Sequence, residues 1–137
     1  MMKKVFLLLA LLTLVVSCSL DDDGRNVSYE FVPIAKYELP DSLVFGKNYE
    51  FPISYVSPTD CNAFYGFEYD RRDSTRLIFI VNQVLESENC LPTTDTVETT
   101  LNFEVLYNYT YVFKFFNGFD ANDEPTYITE EVPVKRP

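Results

Sequence analysis

From Tyr29 onward, apolar and polar residues alternate with a period of two, and turn-forming residues return at the spacing of an all-β domain. The clearest stretch sets Tyr107, Tyr109, Tyr111, Phe113 and Phe115 on one face, with Asn108, Thr110 and Lys114 on the other. Alternation this strict places one wall against a core and the other in water. Tyr49, Phe51, Ile53 and Tyr55 repeat the pattern against Asn48, Glu50 and Ser54. Val97, Leu101, Phe103 and Val105 repeat it against Glu98, Thr100, Asn102 and Glu104, and Ala63, Tyr65, Phe67 and Tyr69 carry it on from Cys61. The stretch Leu77 to Val81 is apolar on both faces, which predicts a strand covered twice or one that meets something outside the chain.

The two ends are less regular. Tyr29, Phe31, Ala35 and Tyr37 alternate, but Pro33 has no N–H to give a ladder, so an edge strand that breaks or switches sheets is expected there. Pro133 places Thr126 to Val134 at an edge for the same reason. Turn formers gather at Pro40 to Ser42, Gly46-Lys47, Ser57 to Asp60, Asp70 to Ser74, Glu86 to Asp95 and Asn117 to Pro125. No amphipathic helix and no internal repeat stands out. About seven strands in about 105 residues predict an immunoglobulin-like antiparallel β-sandwich, with a small closed β-barrel as the alternative that alternation alone leaves open.

The segment before Tyr29 has a different pattern. Met1-Met2-Lys3-Lys4 supplies a positive start, and Val5 to Val16 is an apolar run broken only by Thr13. As a helix the run covers about 18 Å, against a hydrocarbon core of ~30 Å, so it reads as an export signal and not a membrane span. Val15-Val16-Ser17-Cys18 closes it. That motif resembles the lipobox of bacterial lipoproteins, which implies diacylglycerylation of the Cys18 thiol and cleavage that leaves Cys18 as the first residue. Asp21-Asp22-Asp23 follows directly and resembles the acidic export signal of surface lipoproteins of the Bacteroidota type. The resemblance implies a signal peptide over 1–17, a lipidated cysteine and acidic tether over 18–28, and one sandwich domain over 29–137. It also implies attachment to the outer membrane by palmitate-class acyl chains, on the cell surface, with the periplasmic leaflet as the alternative. Several acyl chains, at ~0.8 kcal/mol per buried methylene, hold a protein on a membrane where one chain does not.

Lipidation of Cys18 leaves Cys61 and Cys90 as a pair in an oxidising compartment, and a disulfide between them is expected. One segment of the domain carries a further resemblance. Asn108 to Phe115 resembles the penultimate strand of immunoglobulin-like domains, with Tyr111 two residues before Phe113, although tryptophan is absent and the cysteines do not fall where antibody domains bridge their sheets.

Composition excludes more chemistry than it suggests. Loss of Lys3 and Lys4, from eleven basic residues against twenty-one acidic ones, takes the formal charge from −10 to −12. Nucleic acid is therefore not the expected partner, since the basic clustering does not exceed Arg71-Arg72 with Arg76 close by. The absence of histidine removes Ser-His-Asp triads, Cys-His pairs and ordinary zinc sites, and the four isolated glycines form no phosphate loop. Catalysis would rest on carboxylates such as Asp70, Asp73, Glu130 and Glu131, all of which read as turn or solvent-face residues, and no enzyme is expected.

Three weaker signals complete the reading. Asp120, Asn122 and Glu124 match the first three ligand spacings of a calcium loop, but Pro125 stands where glycine is needed and no glutamate closes the shell. A polar hairpin loop without a cofactor is the preferred reading. Asp41-Ser42-Leu43, Asp73-Ser74-Thr75 and Asp95-Thr96-Val97 resemble the Bacteroidota O-glycosylation acceptor, which implies Ser42, Ser74 and Thr96 as modification sites. Ten tyrosines and twelve phenylalanines suit either a ring-filled core or a stacking platform for sugars, and Phe64 and Phe116 fall off the inward phase. Together these predict a non-catalytic binding module for a polysaccharide or envelope protein. The alternative is an accessory or inhibitory subunit docking through Leu77 to Val81 onto a larger outer-membrane complex, and a carboxylate-based glycoside hydrolase stands last.

Overall fold

A computed structural model of the chain describes residues 26–137, so Cys18, the apolar leader and the acidic run lie outside the described residues. Within them the chain is all β. The strands are β1 (Val27–Val32), β2 (Lys36–Tyr37), β3 (Leu43–Val44), β4 (Asn48–Val56), β5 (Asn62–Arg72), β6 (Thr75–Leu85), β7 (Thr96–Glu104), β8 (Tyr111–Phe119), β9 (Pro125–Val132) and β10 (Val134–Lys135). Seven are six residues or longer, as the alternation predicts, and β2, β3 and β10 are two-residue pairings too short to leave a pattern.

β6 is the centre of the larger sheet. β5 covers one side of it along its length, while β1 and β8 share the other: β1 pairs with Ile80 to Leu85 and β8 with Thr75 to Ile78. β9 then adds to β8, β4 joins β2 and β7 in the second sheet, and β3 clasps β10. The arrangement is an open sandwich and not a closed barrel. It departs from a purely antiparallel design at two places, because β6 runs parallel to β8 and β10 parallel to β3. A parallel neighbour needs a crossover, and β7 in the opposite sheet supplies one between β6 and β8.

Rings from both sheets fill the space between. Phe113 is fully buried, with its centroid 5.6 Å from Phe51 and 5.2 Å from Phe103. Tyr37 stacks on Phe115 at 4.0 Å, and Tyr111 meets Phe103 edge-on at 5.0 Å. Each ring withdrawn this way contributes about 2–3 kcal/mol of apolar burial. The Cys61–Cys90 disulfide, with Cα atoms 5.5 Å apart, ties the start of β5 to the loop after β6. Asn26 accepts from the Glu86 N–H, so the chain enters the domain at this same end.

Two segments differ in phase from the alternation. In β1 the buried residues are Val32, followed by Ile34, while Tyr29 and Phe31 face outward. The cause is Pro33, where the chain leaves the larger sheet and reaches β2 of the smaller one, the switch that proline predicts. In β5 a bulge between Phe64 and Gly66 shifts the register, so Phe64 shares the inner phase with Phe67 and Tyr69 while Tyr65 turns outward.

Candidate functional site

The two outer faces of the sandwich are unlike. The smaller sheet presents Glu98, Thr100, Asn102 and Glu104 from β7, each exposed. The larger sheet presents rings instead. On β6, Leu77, Phe79 and Val81 occupy the outward phase, because Ile78 and Ile80 occupy the core. Phe31 of β1 lies opposite Val81, with its ring 4.7 Å from Phe79 and 6.0 Å from Phe116. Tyr127 of β9 closes on Phe79 from the other side at 5.9 Å.

Bulges aim two further rings at this face. The Phe64/Gly66 bulge carries Tyr65 against Tyr29, 4.8 Å between centroids in an edge contact. A second bulge, between Phe116 and Phe119 in β8, includes Gly118 at φ 104° and sets Phe119 against Phe116 at 5.1 Å. Glycine is suited there because a side chain rarely adopts that backbone conformation. The result has a graded exposure: Phe116 at the centre is sealed, while Tyr29, Tyr65 and Phe119 are 56%, 61% and 58% exposed. Beside the Tyr29 and Tyr65 pair, Val27, Ala63, Gln83 and Leu85 line a shallow depression of about 440 Å³ against the disulfide. A flat apolar face with exposed rings and an adjoining depression is the form a protein contact takes.

The far end of the same sheet is charged. Arg76 is 2% exposed, and its guanidinium donates to the Asp73 carbonyl at 2.7 Å, the Thr75 carbonyl at 3.0 Å and the Tyr109 hydroxyl at 2.7 Å. The rings of Tyr107, Tyr109 and Tyr111 lie within 5.9 Å, 5.8 Å and 4.9 Å of it. These carbonyls and π faces replace the water a buried cation loses. Burial pushes the hydroxyl of neighbouring Tyr69 up to about 12, although the Arg76 charge pulls it the other way.

The residues singled out from sequence are scattered. Cys61 and Cys90 are bonded to each other, so the Asp60, Cys61 and Cys90 grouping holds sulfurs already spent on the disulfide. In the β8–β9 loop, Asp120 accepts the N–H groups of Asn122 at 2.8 Å and Glu124 at 3.1 Å, which accounts for it as a turn former. Asp70 pairs with Arg72 at 2.9 Å, Asp73 sits in the β5–β6 turn at φ 51°, and Glu130 and Glu131 are consecutive in β9, hence on opposite faces. Glu130 lies beside the Tyr37 hydroxyl, which burial and this carboxylate together raise. Ser42 and Ser74 are half-buried in turns, and Thr96 is exposed at the start of β7. Phe116 belongs to the outer aromatic face, whereas Phe64 sits at the edge of the larger sheet, still exposed on the inner phase and 5.3 Å from Phe67. The outer placement of Tyr29, Tyr65 and Phe119 is not visible from alternation, because bulges and a sheet switch set it.

No known protein family matches the chain, and no curated protein or solved structure matches it.

Proposed function

We propose that this chain is a lipid-anchored, non-catalytic interaction module of the outer cell surface, and that its contact is the aromatic outer face of the larger sheet. Exposed rings around a sealed Phe116 carry the reading. The partner is another envelope protein with an apolar, flat surface. Phe31, Phe79, Phe116 and Phe119 make the middle of this face apolar, while Tyr29 and Tyr65 put hydroxyls at its rim, the apolar centre and polar margin of a protein contact. The accessory-subunit alternative is the same contact made to a permanent complex. A lipobox at Cys18 and the acidic run behind it support the location, and the disulfide suits an oxidising compartment.

The test has two arms in the native host. Radiolabelled palmitate is expected on the protein and is lost in Cys18→Ala. Tyr29→Asp combined with Phe119→Asp is expected to abolish recovery of the co-purifying envelope protein while leaving the melting temperature within about 2 °C, since both rings are more than half exposed. Unlabelled protein would refute the anchor, and undiminished co-purification would refute the contact.

A further inference from the structure

The basic residues of the chain are gathered where its folded charge is least expected. The β5–β6 turn brings Arg71, Arg72 and Arg76 to one end of the sandwich. Val105 exchanges hydrogen bonds with the β3–β4 turn, accepting from the Gly46 N–H and donating to the Lys47 carbonyl, both at 2.9 Å. Phe45 donates to the Lys135 carbonyl at 3.0 Å and holds the last strand at the same end. Lys47, Arg71, Arg72, Arg76, Lys135 and Arg136 thus assemble on one end of a chain whose net charge is −10 before any processing. The acids there are Asp70, already paired with Arg72, then Asp73, Glu104, and Glu130 and Glu131 of β9, which lie beyond β8 in the rows of Arg76 and Thr75.

Two of these cations share a ring. Arg71 donates to the Tyr107 hydroxyl at 2.7 Å with its guanidinium carbon 5.3 Å from the ring centroid, and Arg76 lies 5.9 Å from the same centroid. Among the described residues neither has a carboxylate within ion-pair distance. Arg76 is enclosed and already donates to the Asp73 and Thr75 carbonyls and the Tyr109 hydroxyl, so the exposed Arg71 is the guanidinium left to meet an oxyanion from solvent, and it offers paired donors suited to carboxylate or sulfate. Next to Tyr107, Asn108 joins Phe45, Val134, Lys135 and Arg136 around an open groove of about 560 Å³. A second positive point therefore lies across the tyrosine from the first.

We infer that this end binds an anionic glycan, whose carboxylate or sulfate groups meet the exposed Arg71 on one side and Lys135 and Arg136 on the other, across the exposed ring of Tyr107, with buried Arg76 holding the tyrosines in place from beneath. An extended acidic polysaccharide spaces its charges along a chain, which fits two separated basic points better than one ion does. The first strand begins at Val27 beside Leu85, ten residues along β6 from Thr75, or about 33 Å. In a protein tethered through Cys18 the basic end is consequently the one away from the membrane. The site itself does not depend on the proposed protein contact, which occupies the opposite half of the sheet.

The experiment uses the mature lipidated protein in detergent micelles and measures binding calorimetrically to a galacturonate oligosaccharide, a sulfated oligosaccharide and a neutral glucan of equal length. Saturable binding to the carboxylated or the sulfated probe, and not to the neutral one, is expected; which of the two binds tells the anion. Arg71→Gln should weaken it roughly five- to tenfold, Arg71→Gln with Arg136→Gln should remove it, and Lys36→Gln on β2 should leave it unchanged. Circular dichroism melts keep folding separate, because Arg71 and Arg136 are exposed. Equal binding to poly-aspartate or duplex DNA, equal weakening by Lys36→Gln, or no effect of the double variant would overturn the site.

Discussion

Removal of the disulfide by Cys61→Ser with Cys90→Ser should lower the melting temperature by about 15 °C while leaving the native fold in place. The bridge joins residues 29 apart in sequence. Closing a loop of that length removes about 12 cal/mol/K from the unfolded chain, or about 3.6 kcal/mol at 25 °C. For a domain of about 110 residues, unfolding entropy is ~0.23 kcal/mol/K, and the quotient is the predicted shift. The native geometry should survive because other contacts hold the same loop: Asp60 accepts the Leu91 N–H at 2.9 Å, Asp60 donates to the Leu91 carbonyl at 3.0 Å, and Thr93 donates to the Ser57 carbonyl at 2.8 Å. The effect therefore acts through the unfolded state. Near-ultraviolet circular dichroism, strong in so tyrosine-rich a chain, should show an unchanged spectrum at 20 °C and an earlier transition on heating, with a larger urea m-value. A shift below about 3 °C, or a lost native spectrum, would refute the entropic reasoning.

Three further outcomes follow from burial and charge. Phe113→Ala should cost about 3–5 kcal/mol in urea unfolding and Phe119→Ala under about 1 kcal/mol, since the first ring is fully buried and the second more than half exposed. The Tyr55 hydroxyl and the Asn82 amide are buried beside each other with no other hydrogen-bond partner, so replacing both at once, Tyr55→Phe with Asn82→Leu, should raise stability by about 1–3 kcal/mol. A fall in that variant would mean that an internal water satisfies them. The folded Tyr69 hydroxyl titrates at about 12, above the ordinary 10.0, so its contribution is intact below pH 10 and is lost as the pH rises toward 12. Thermal melts between pH 9 and 12 should fall less steeply in Tyr69→Phe, and parallel slopes would contradict this.

Much of the fold is readable in the alternation because the smaller sheet follows it, apart from Ser54, a polar-face residue of β4 that is buried where β2 pairs with it. Phe51, Ile53 and Tyr55 of β4 and Leu101 and Phe103 of β7 are all buried, as the pattern predicts. The double apolarity of Leu77 to Val81 likewise marks β6, which carries core residues on one face and the outer aromatic face on the other. Direction is not readable, since period two is the same in parallel and antiparallel strands, and the β6–β8 pairing therefore differs from expectation. Register is lost wherever a residue is inserted: one bulge turns Tyr65 outward and another places Phe119 beside Phe116. The Cys61–Cys90 bond follows from cysteine arithmetic, whereas the burial of Arg76 does not, because no local pattern announces a cation enclosed by rings that arrive from Tyr107 to Tyr111.

A photo-crosslinking residue placed at Tyr65, and separately at Thr100 on the polar face of the other sheet, tests the central claim in the native host most directly. The account predicts one discrete adduct with an envelope protein from position 65 and none from position 100. No adduct from 65, or equal capture from both positions, would contradict it.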